Sequence, residues 1–245
     1  MGENTSILIS SILEIRFKKS QNRAIKNYSE KDGIMHLEIK WESKQSIREW
    51  MWDKMTKDQI ARFPLPCYGR IPNFAGVETA SKLLLNLPEF KKANLIFSAP
   101  DFVLHPLREM VLQNRKDLLM ATPHIKAFLL LRDIVPQLIS KAVTIKEMYK
   151  YGTEIKLTQI SHKIGLFCQG SVAVDQKGNR LGKGKGYGDQ EFQILQSEGL
   201  IDKQTVVLTV VHDMQILDDF SYLMESRDIK VQIILTPKEG IRLGF

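Results

Sequence analysis

From Ser43 to about residue 237 the chain alternates between amphipathic stretches and short apolar runs. Ile47, Trp50, Met51 and Met55 recur at helical spacing while Lys44, Arg48 and Asp53 can face elsewhere, which predicts a helix starting at Ser43. RFPLPCYGRIPNFAG (Arg62–Gly76) holds three prolines and two glycines, which forbid a long regular element. Val77–Leu87 reads as a second helix ended by Pro88. Asn94–Ser98 then reads as a strand, Leu104–Gln113 as a helix, and Leu118–Thr122 as a strand stopped by Pro123. A Leu- and Ile-rich region cut by Pro136 reads as helical. Apolar runs at Ile164–Cys168 and Ser171–Val174 lead into a glycine- and lysine-rich loop, followed by a helix over Asp189–Glu198. Val206–Val211 and Lys230–Leu235 close the pattern as strands. Buried strands alternating with helices indicate an α/β domain whose mostly parallel sheet is covered on both faces. Ligands of such sheets sit outside the carboxyl ends of the strands. That directs attention to Pro100–Asp101, Thr122–His124, the glycine loop and His212–Asp213.

The 245 residues suit one such domain with an appended segment. Residues 1–34 differ from the rest, being rich in Ser, Asn and Lys after a short apolar patch, and Met35 would serve equally well as a start. They are read as a poorly ordered extension to a domain over 35–245, with an amphipathic partner-binding helix as the alternative. The patch SILISSILEIRF is interrupted by Glu14 and Arg16 and lacks a basic region before it, so it makes a poor signal peptide. No apolar run approaches the ~20 residues of a membrane span. Cys67 and Cys168 lack metal-ligand spacing and form no disulfide framework, which points to a reducing, cytoplasmic setting. The net charge of +7 is spread over Lys and Arg residues mostly accompanied by Asp or Glu. That argues against a nucleic-acid surface, which would need a clustered basic face.

GNRLGKGKGYGDQEF (Gly178–Phe192) changes the picture. Gly182, Gly184, Gly186 and Gly188 alternate with Lys183, Lys185 and Tyr187, and Asp189 follows. The spacing fits neither the P-loop nor the dinucleotide fingerprint. The physics of anion binding still holds. Glycines let backbone N–H groups approach a phosphate, the next helix points its positive end at it, and Arg180, Lys183 and Lys185 add charge. Asp189 can cap that helix or hold a Mg²⁺ that bridges phosphate oxygens.

GNRLGKGKGYGD resembles the G-x-R-L-G-R/K-G-x-G-Y-Y-D signature of the 5-formyltetrahydrofolate cyclo-ligase family. Two further elements agree: Lys44-Gln-Ser-Ile-Arg48 matches the family's Lys-x-x-x-Arg pair, and Asp228-Ile-Lys-Val matches its C-terminal Asp-x-x-Val. The resemblance covers about residues 43–237. It implies a three-layer, sugar-isomerase/CoA-transferase-like α/β fold. It also implies an ATP- and Mg²⁺-dependent conversion of 5-formyltetrahydrofolate to 5,10-methenyltetrahydrofolate through a phosphorylated formyl group. Lys44, Arg48, Arg180, Gly182, Lys183, Gly184, Lys185, Gly186 and Tyr187 would then bind ATP, with Lys183 and Tyr187 as catalytic residues. Asp189 and Asp228 would hold Mg²⁺, and the partner would be a small reduced folate.

Two departures stand out. The signature's second Tyr is Gly188, and the family's folate-contacting Glu-rich segment has no clear counterpart, APDFVLHPLRE (Ala99–Glu109) standing in its place. The pattern SVAV…GKGxGYxDxE resembles a divergent branch for which a link to thiamine metabolism has been proposed. The alternatives are therefore an ATP-using paralog acting on another small molecule, and a non-catalytic nucleotide- or RNA-binding module. Asp101 and Arg70 are candidate substrate contacts, with His105 and Arg108 downstream of Asp101. His212 and Asp213, adjacent on an extended segment, point oppositely and cannot form a simple dyad. The cysteines are read as space-filling, and Trp41, Trp50 and Trp52 lack the basic interleaving of a base-stacking surface.

Overall fold

The computed structural model describes residues 24–31 and 34–244. Eight strands form the main sheet: β1 (Leu95–Ser98), β2 (Asp117–Ala121), β3 (Phe128–Leu131), β4 (Thr153–Glu154), β5 (Ile164–Gln169), β6 (Val206–Val210), β7 (Ile233–Leu235) and β8 (Gly240–Arg242). Their spatial order is β8-β7-β6-β5-β1-β2-β3-β4. The central five, β7-β6-β5-β1-β2, are parallel, and β3, β4 and β8 add antiparallel edges.

Alternation along the strands splits the core into two layers. Ile96, Leu166, Cys168, Leu208 and Val210 face one side, where they pack with Ile47, Met51, Met55, Leu107 and Val111. Leu95, Phe97, Phe167 and Val207 face the other and pack with Leu195 and the half-buried Phe192. Helices cover both faces, among them α1 (Lys44–Lys57) and α2 (His105–Gln113) on the first and α3 (Tyr187–Ser197) on the second. The three-layer, mostly parallel α/β architecture expected from the sequence is the one observed.

α1 begins where the sequence indicates. Ser43 Oγ accepts from Ser46 N–H and Ser46 Oγ accepts from Ser43 N–H, both at 3.1 Å, a reciprocal N-terminal cap. Its buried face is Ile47, Met51, Trp52 and Met55, with Trp50 only half-buried.

Three readings need correction. The apolar run after Pro123 is a strand: β3 pairs antiparallel with β2 through a tight turn in which Thr122 N–H donates to Ala127 O (2.9 Å) and Ala127 N–H to Thr122 Oγ1 (2.9 Å). A four-residue run buried on every side carries no periodicity that distinguishes strand from helix. Pro88 begins a short helix (Pro88–Lys92) at a position where its missing N–H costs nothing, besides ending the previous one. The run at Ser171–Val174 contributes to a side sheet in which Ala173–Asp175 lies between Arg180–Leu181 and Ile216–Leu217.

Residues Ala24–Lys31 pair antiparallel with Ile34–Trp41, across the boundary drawn from composition at 34/35. Residues 1–23, with the apolar patch, lie outside the described residues. No helix among the described residues is long and apolar enough to cross a membrane.

Candidate functional site

Chain direction around the sheet reverses between β1 and β5. From β1 the order runs outward to β2, and from β5 outward to β6 and β7. Such a switch point leaves a crevice at the carboxyl ends of the two strands. A cavity of about 810 Å³ opens there, walled by Ala99–Asp101 after β1, Gln169–Gly170 after β5, Thr122–Ile125 after β2, the glycine loop and the start of α1.

The side sheet carries the glycine loop over this crevice. Arg180–Leu181 pairs with Ala173–Asp175, and the turn between them is built on Asp175. Its fully buried carboxylate accepts from Lys177 N–H and Asn179 N–H at 2.9 Å, from Asn179 Nδ2 at 2.7 Å and from Phe220 N–H at 3.2 Å. Beyond Leu181 the chain turns through Gly184 (φ +94°) and Gly186 (φ +71°), a conformation that a Cβ disfavours. Gly186 caps the N-terminus of α3, so the first free N–H groups of that helix face the cavity.

Cations converge on the loop from two directions. Arg48 Nε donates to Gly182 O at 2.7 Å, which fastens α1 to the loop. Burial holds the Arg48 guanidinium below its ordinary pKa, an effect that Asp228 opposes. Lys183 Nζ meets Asp101 Oδ1 at 2.9 Å, and Lys44 Nζ meets Asp228 Oδ2 at 2.6 Å and Glu225 Oε1 at 3.3 Å. Lys185 is exposed on the cavity rim. Arg180 is buried and paired with Asp189, whose Oδ1 also accepts from Ile229 N–H at 3.1 Å.

Asp189 and Asp228 therefore share one wall, joined by the backbone next to Ile229. Among the described residues no group of three or more His, Cys, Asp or Glu side chains could hold a metal ion. Two carboxylates lining one cavity nevertheless match the one or two by which Mg²⁺ is commonly bound, although Asp189 is paired with Arg180 and Asp228 with Lys44 and Glu225 N–H.

The rest of the wall contains His124, at a strand end to which the sequence points, and Glu191 and Gln169, which it does not single out. Glu191, one turn into α3, is only 4% exposed. Burial raises its carboxyl to about 8; Asp101 and Asp189 push the same way while Arg180 and Lys183 oppose. His124 Nδ1 lies 2.6 Å from Tyr187 Oη, on a segment where His124 (φ 62°) and Ile125 (φ 53°) both adopt left-handed backbone. Gln169 donates to Gly188 O. The letters after the Asp in the loop and the residues after β2 hinted at Glu191 and His124. Nothing hinted at Gln169.

Of the residues singled out from sequence, Lys44, Arg48, Asp101, Arg180, Gly182–Tyr187, Asp189 and Asp228 all line this cavity. Arg70 does not: it is exposed, and its carbonyl accepts from Trp52 Nε1 at 2.8 Å, while its neighbour Ile71 reaches the cavity. Arg108 is fully buried and donates to Val143 O (3.0 Å), Ala99 O (2.8 Å) and Asp101 O (2.9 Å); burial brings its guanidinium down to about 10. It fixes the loop that carries Asp101 instead of meeting a ligand. His105 is tied to Ser140 O at 3.0 Å. His212 accepts from Met214 N–H and Asp213 from Thr236 Oγ1, each at 3.1 Å, and neither reaches the cavity. Both cysteines are buried, and burial pushes the Cys168 thiol up, away from reactivity.

The sequence model of the 5-formyltetrahydrofolate cyclo-ligase family matches residues 40–237, which contain the cavity and every strand of the main sheet except β8. The chain belongs to this family. Among its relatives are proteins described as methenyltetrahydrofolate synthase domain-containing protein. Those of Homo sapiens and Mus musculus are 38% and 39% identical over 207 residues, covering 82% of this chain and 54% and 55% of theirs. That of Danio rerio is 32% identical over 209 residues, covering 82% of this chain and 54% of its own. The chain thus spans about half the length of the curated relatives it matches. A solved 5,10-methenyltetrahydrofolate synthetase from Mycoplasma pneumoniae aligns over 78% of this chain and 97% of its own, at 14% identity and a TM-score of 0.46. So low a score adds nothing to the family assignment.

Proposed function

We propose that this cyclo-ligase family member is a cytoplasmic, ATP- and Mg²⁺-dependent enzyme that converts 5-formyltetrahydrofolate to 5,10-methenyltetrahydrofolate. The γ-phosphoryl group passes to the formyl oxygen, N10 attacks the activated carbon, and phosphate leaves with that oxygen. The observation that carries this reading is the convergence of Lys44, Arg48, Lys183 and Lys185 on a glycine loop at the sheet's switch point. Phosphoryl transfer asks a protein mainly for positioning and charge neutralisation, and this arrangement offers both.

In this reading the loop N–H groups and the start of α3 cradle the phosphates, and Lys183 exchanges Asp101 for the transferred group. Tyr187, steadied by His124, orients the formyl oxygen. Asp189 and Asp228 would hold Mg²⁺, which supplies charge neutralisation between phosphate oxygens. Arg48 keeps the loop closed against α1 through Gly182 O. Gly188 favours a second reading, an ATP-using paralog acting on another heterocycle such as a thiamine precursor, because the wall there is a carboxamide and not an aromatic ring.

Mixing the protein with MgATP and 5-formyltetrahydrofolate and following the methenyl-folate absorbance band tests the first reading. Product formation that needs both ATP and Mg²⁺ is expected. MgATP binding without product would remove this reading and leave the paralog or a non-catalytic nucleotide-binding module.

A further inference from the structure

Gly188 sits in the first turn of α3, against Gln169 at the carboxyl end of β5. A Cβ at 188 would come 2.7 Å from Gln169 Nε2, 3.1 Å from its Cδ and 3.3 Å from an Arg180 guanidinium nitrogen. A side chain at 188 therefore requires the Gln169 carboxamide to shift. The backbone of Gln169 is anchored by Thr209 Oγ1, which donates to its carbonyl at 2.8 Å, and its side-chain nitrogen donates to Gly188 O. The second bond fixes the carboxamide, because its nitrogen must face the carbonyl.

With the amide so oriented, Gln169 Oε1 has no hydrogen-bond partner, although the residue is only 1% exposed. Arg180 Nε, on the same wall, also lacks one, although another nitrogen of that guanidinium pairs with Asp189. One wall of the cavity thus carries a buried acceptor and a buried donor that the protein leaves unmet. Such atoms are rare in folded chains because each forfeits its bond to water without a replacement.

We propose that Gln169 is a specificity-determining residue whose Oε1, together with Arg180 Nε–H, reads the edge of a heterocycle in which an N–H donor stands next to a carbonyl or ring-nitrogen acceptor. The proposal rests on the reading of this cavity as a small-molecule site and names what the site selects. The family signature's second Tyr offers a face on which rings stack; this chain places a carboxamide and a guanidinium there, each with one polar atom unmet. A site of that kind rejects an analogue lacking the matching group more sharply than an apolar wall does, because mispairing leaves its own polar atoms stranded.

The test titrates two probes, pterin and 5-formyltetrahydrofolate, into the full chain by calorimetry, with MgATP as a control ligand. Gln169→Ala is expected to weaken both probes at least about tenfold while MgATP affinity, corrected for the folded fraction, holds. Gln169→Met, of similar length but without the amide, is expected to behave the same way and replaces the alanine variant should that fail to fold. Gly188→Tyr alone is expected to bind the probes worse than the double variant Gln169→Ala/Gly188→Tyr, in which the ring finds room. Probe affinity unchanged on losing the amide, equal binding by the single and double tyrosine variants, or no binding of either probe to the parent protein overturns the proposal. The cyclo-ligase reading fails separately: no methenyl product, with pterin binding that still depends on Gln169, removes that reading and leaves this one standing.

Discussion

Two polar clusters flank the short hairpin of the side sheet and differ in how completely they are satisfied. At the turn, Asp175 is fully buried and takes four hydrogen bonds from Lys177, Asn179 and Phe220. At the cavity, Gln169 and Arg180 are also buried, yet each leaves a polar atom unmet, and Glu191 carries a carboxyl raised to about 8 by burial. A cluster that closes on itself holds the fold, whereas one left open to a cavity is built for a ligand. The carboxylates within this stretch of sequence therefore divide into anchors and site residues by their partners, not by their residue type.

The largest effect expected from that contrast is on stability. Asp175→Ala strands several buried N–H groups and should cost about 3 kcal/mol, measured by urea unfolding. MgATP affinity, corrected for the folded fraction, should not change. A cost under about 1 kcal/mol would erase the contrast. Arg108→Met should cost about 2 kcal/mol, because the carbonyls of Val143, Ala99 and Asp101 lose this donor, Ala99 O keeping Ser98 Oγ, and it should also lower turnover by releasing the loop that positions Asp101. A stable variant with full turnover would show that the loop holds itself.

Asp189→Asn sits between the two classes. Asparagine can still accept from Ile229 N–H, but buried Arg180 loses its counter-charge, so a cost of about 1–2 kcal/mol is expected along with loss of Mg²⁺-dependent turnover. Activity lost with no stability change would move Asp189 wholly to the ligand side. Lys183→Ala should leave stability within about 0.5 kcal/mol, since its pair with Asp101 is partly exposed, while weakening MgATP by about tenfold. Unchanged MgATP affinity would mean that the loop serves another anion.

The same contrast explains what could be read from the sequence. NLIFS and VVLTVV announced β1 and β6 because strand burial writes itself into local composition. The glycine loop was legible because phosphate binding favours bare backbone beside positive charge, whereas Lys44 and Arg48 were legible only through the resemblance to the family. The strand Phe128–Leu131 was misread because a run buried on every side has no period. Arg108 looked like an anion binder, since only the fold reveals that its guanidinium is occupied by three carbonyls. Gln169 was silent for the opposite reason: its meaning lies in an unmet oxygen beside a glycine 19 residues away, which no local pattern encodes.

His212 gives the smallest effect and tests the satisfied class from its weakest member. Its ring accepts from Met214 N–H at 3.1 Å and packs against Phe74, and burial lowers its pKa, with Asp213 opposing and Lys238 assisting. A depressed folded pKa means that protonation is harder in the native state than in the unfolded chain. Its contribution is therefore complete above the ordinary histidine value near about 6.5 and is lost as pH falls through the lower folded value. Stability should decline slightly over that acidic window, and His212→Asn, which keeps an acceptor for Met214, should flatten the decline. MgATP affinity should be the same in variant and parent at each pH, because His212 lies outside the cavity. A variant that changed nucleotide affinity instead of the stability profile would place His212 among the site residues and break the division between closed and open clusters.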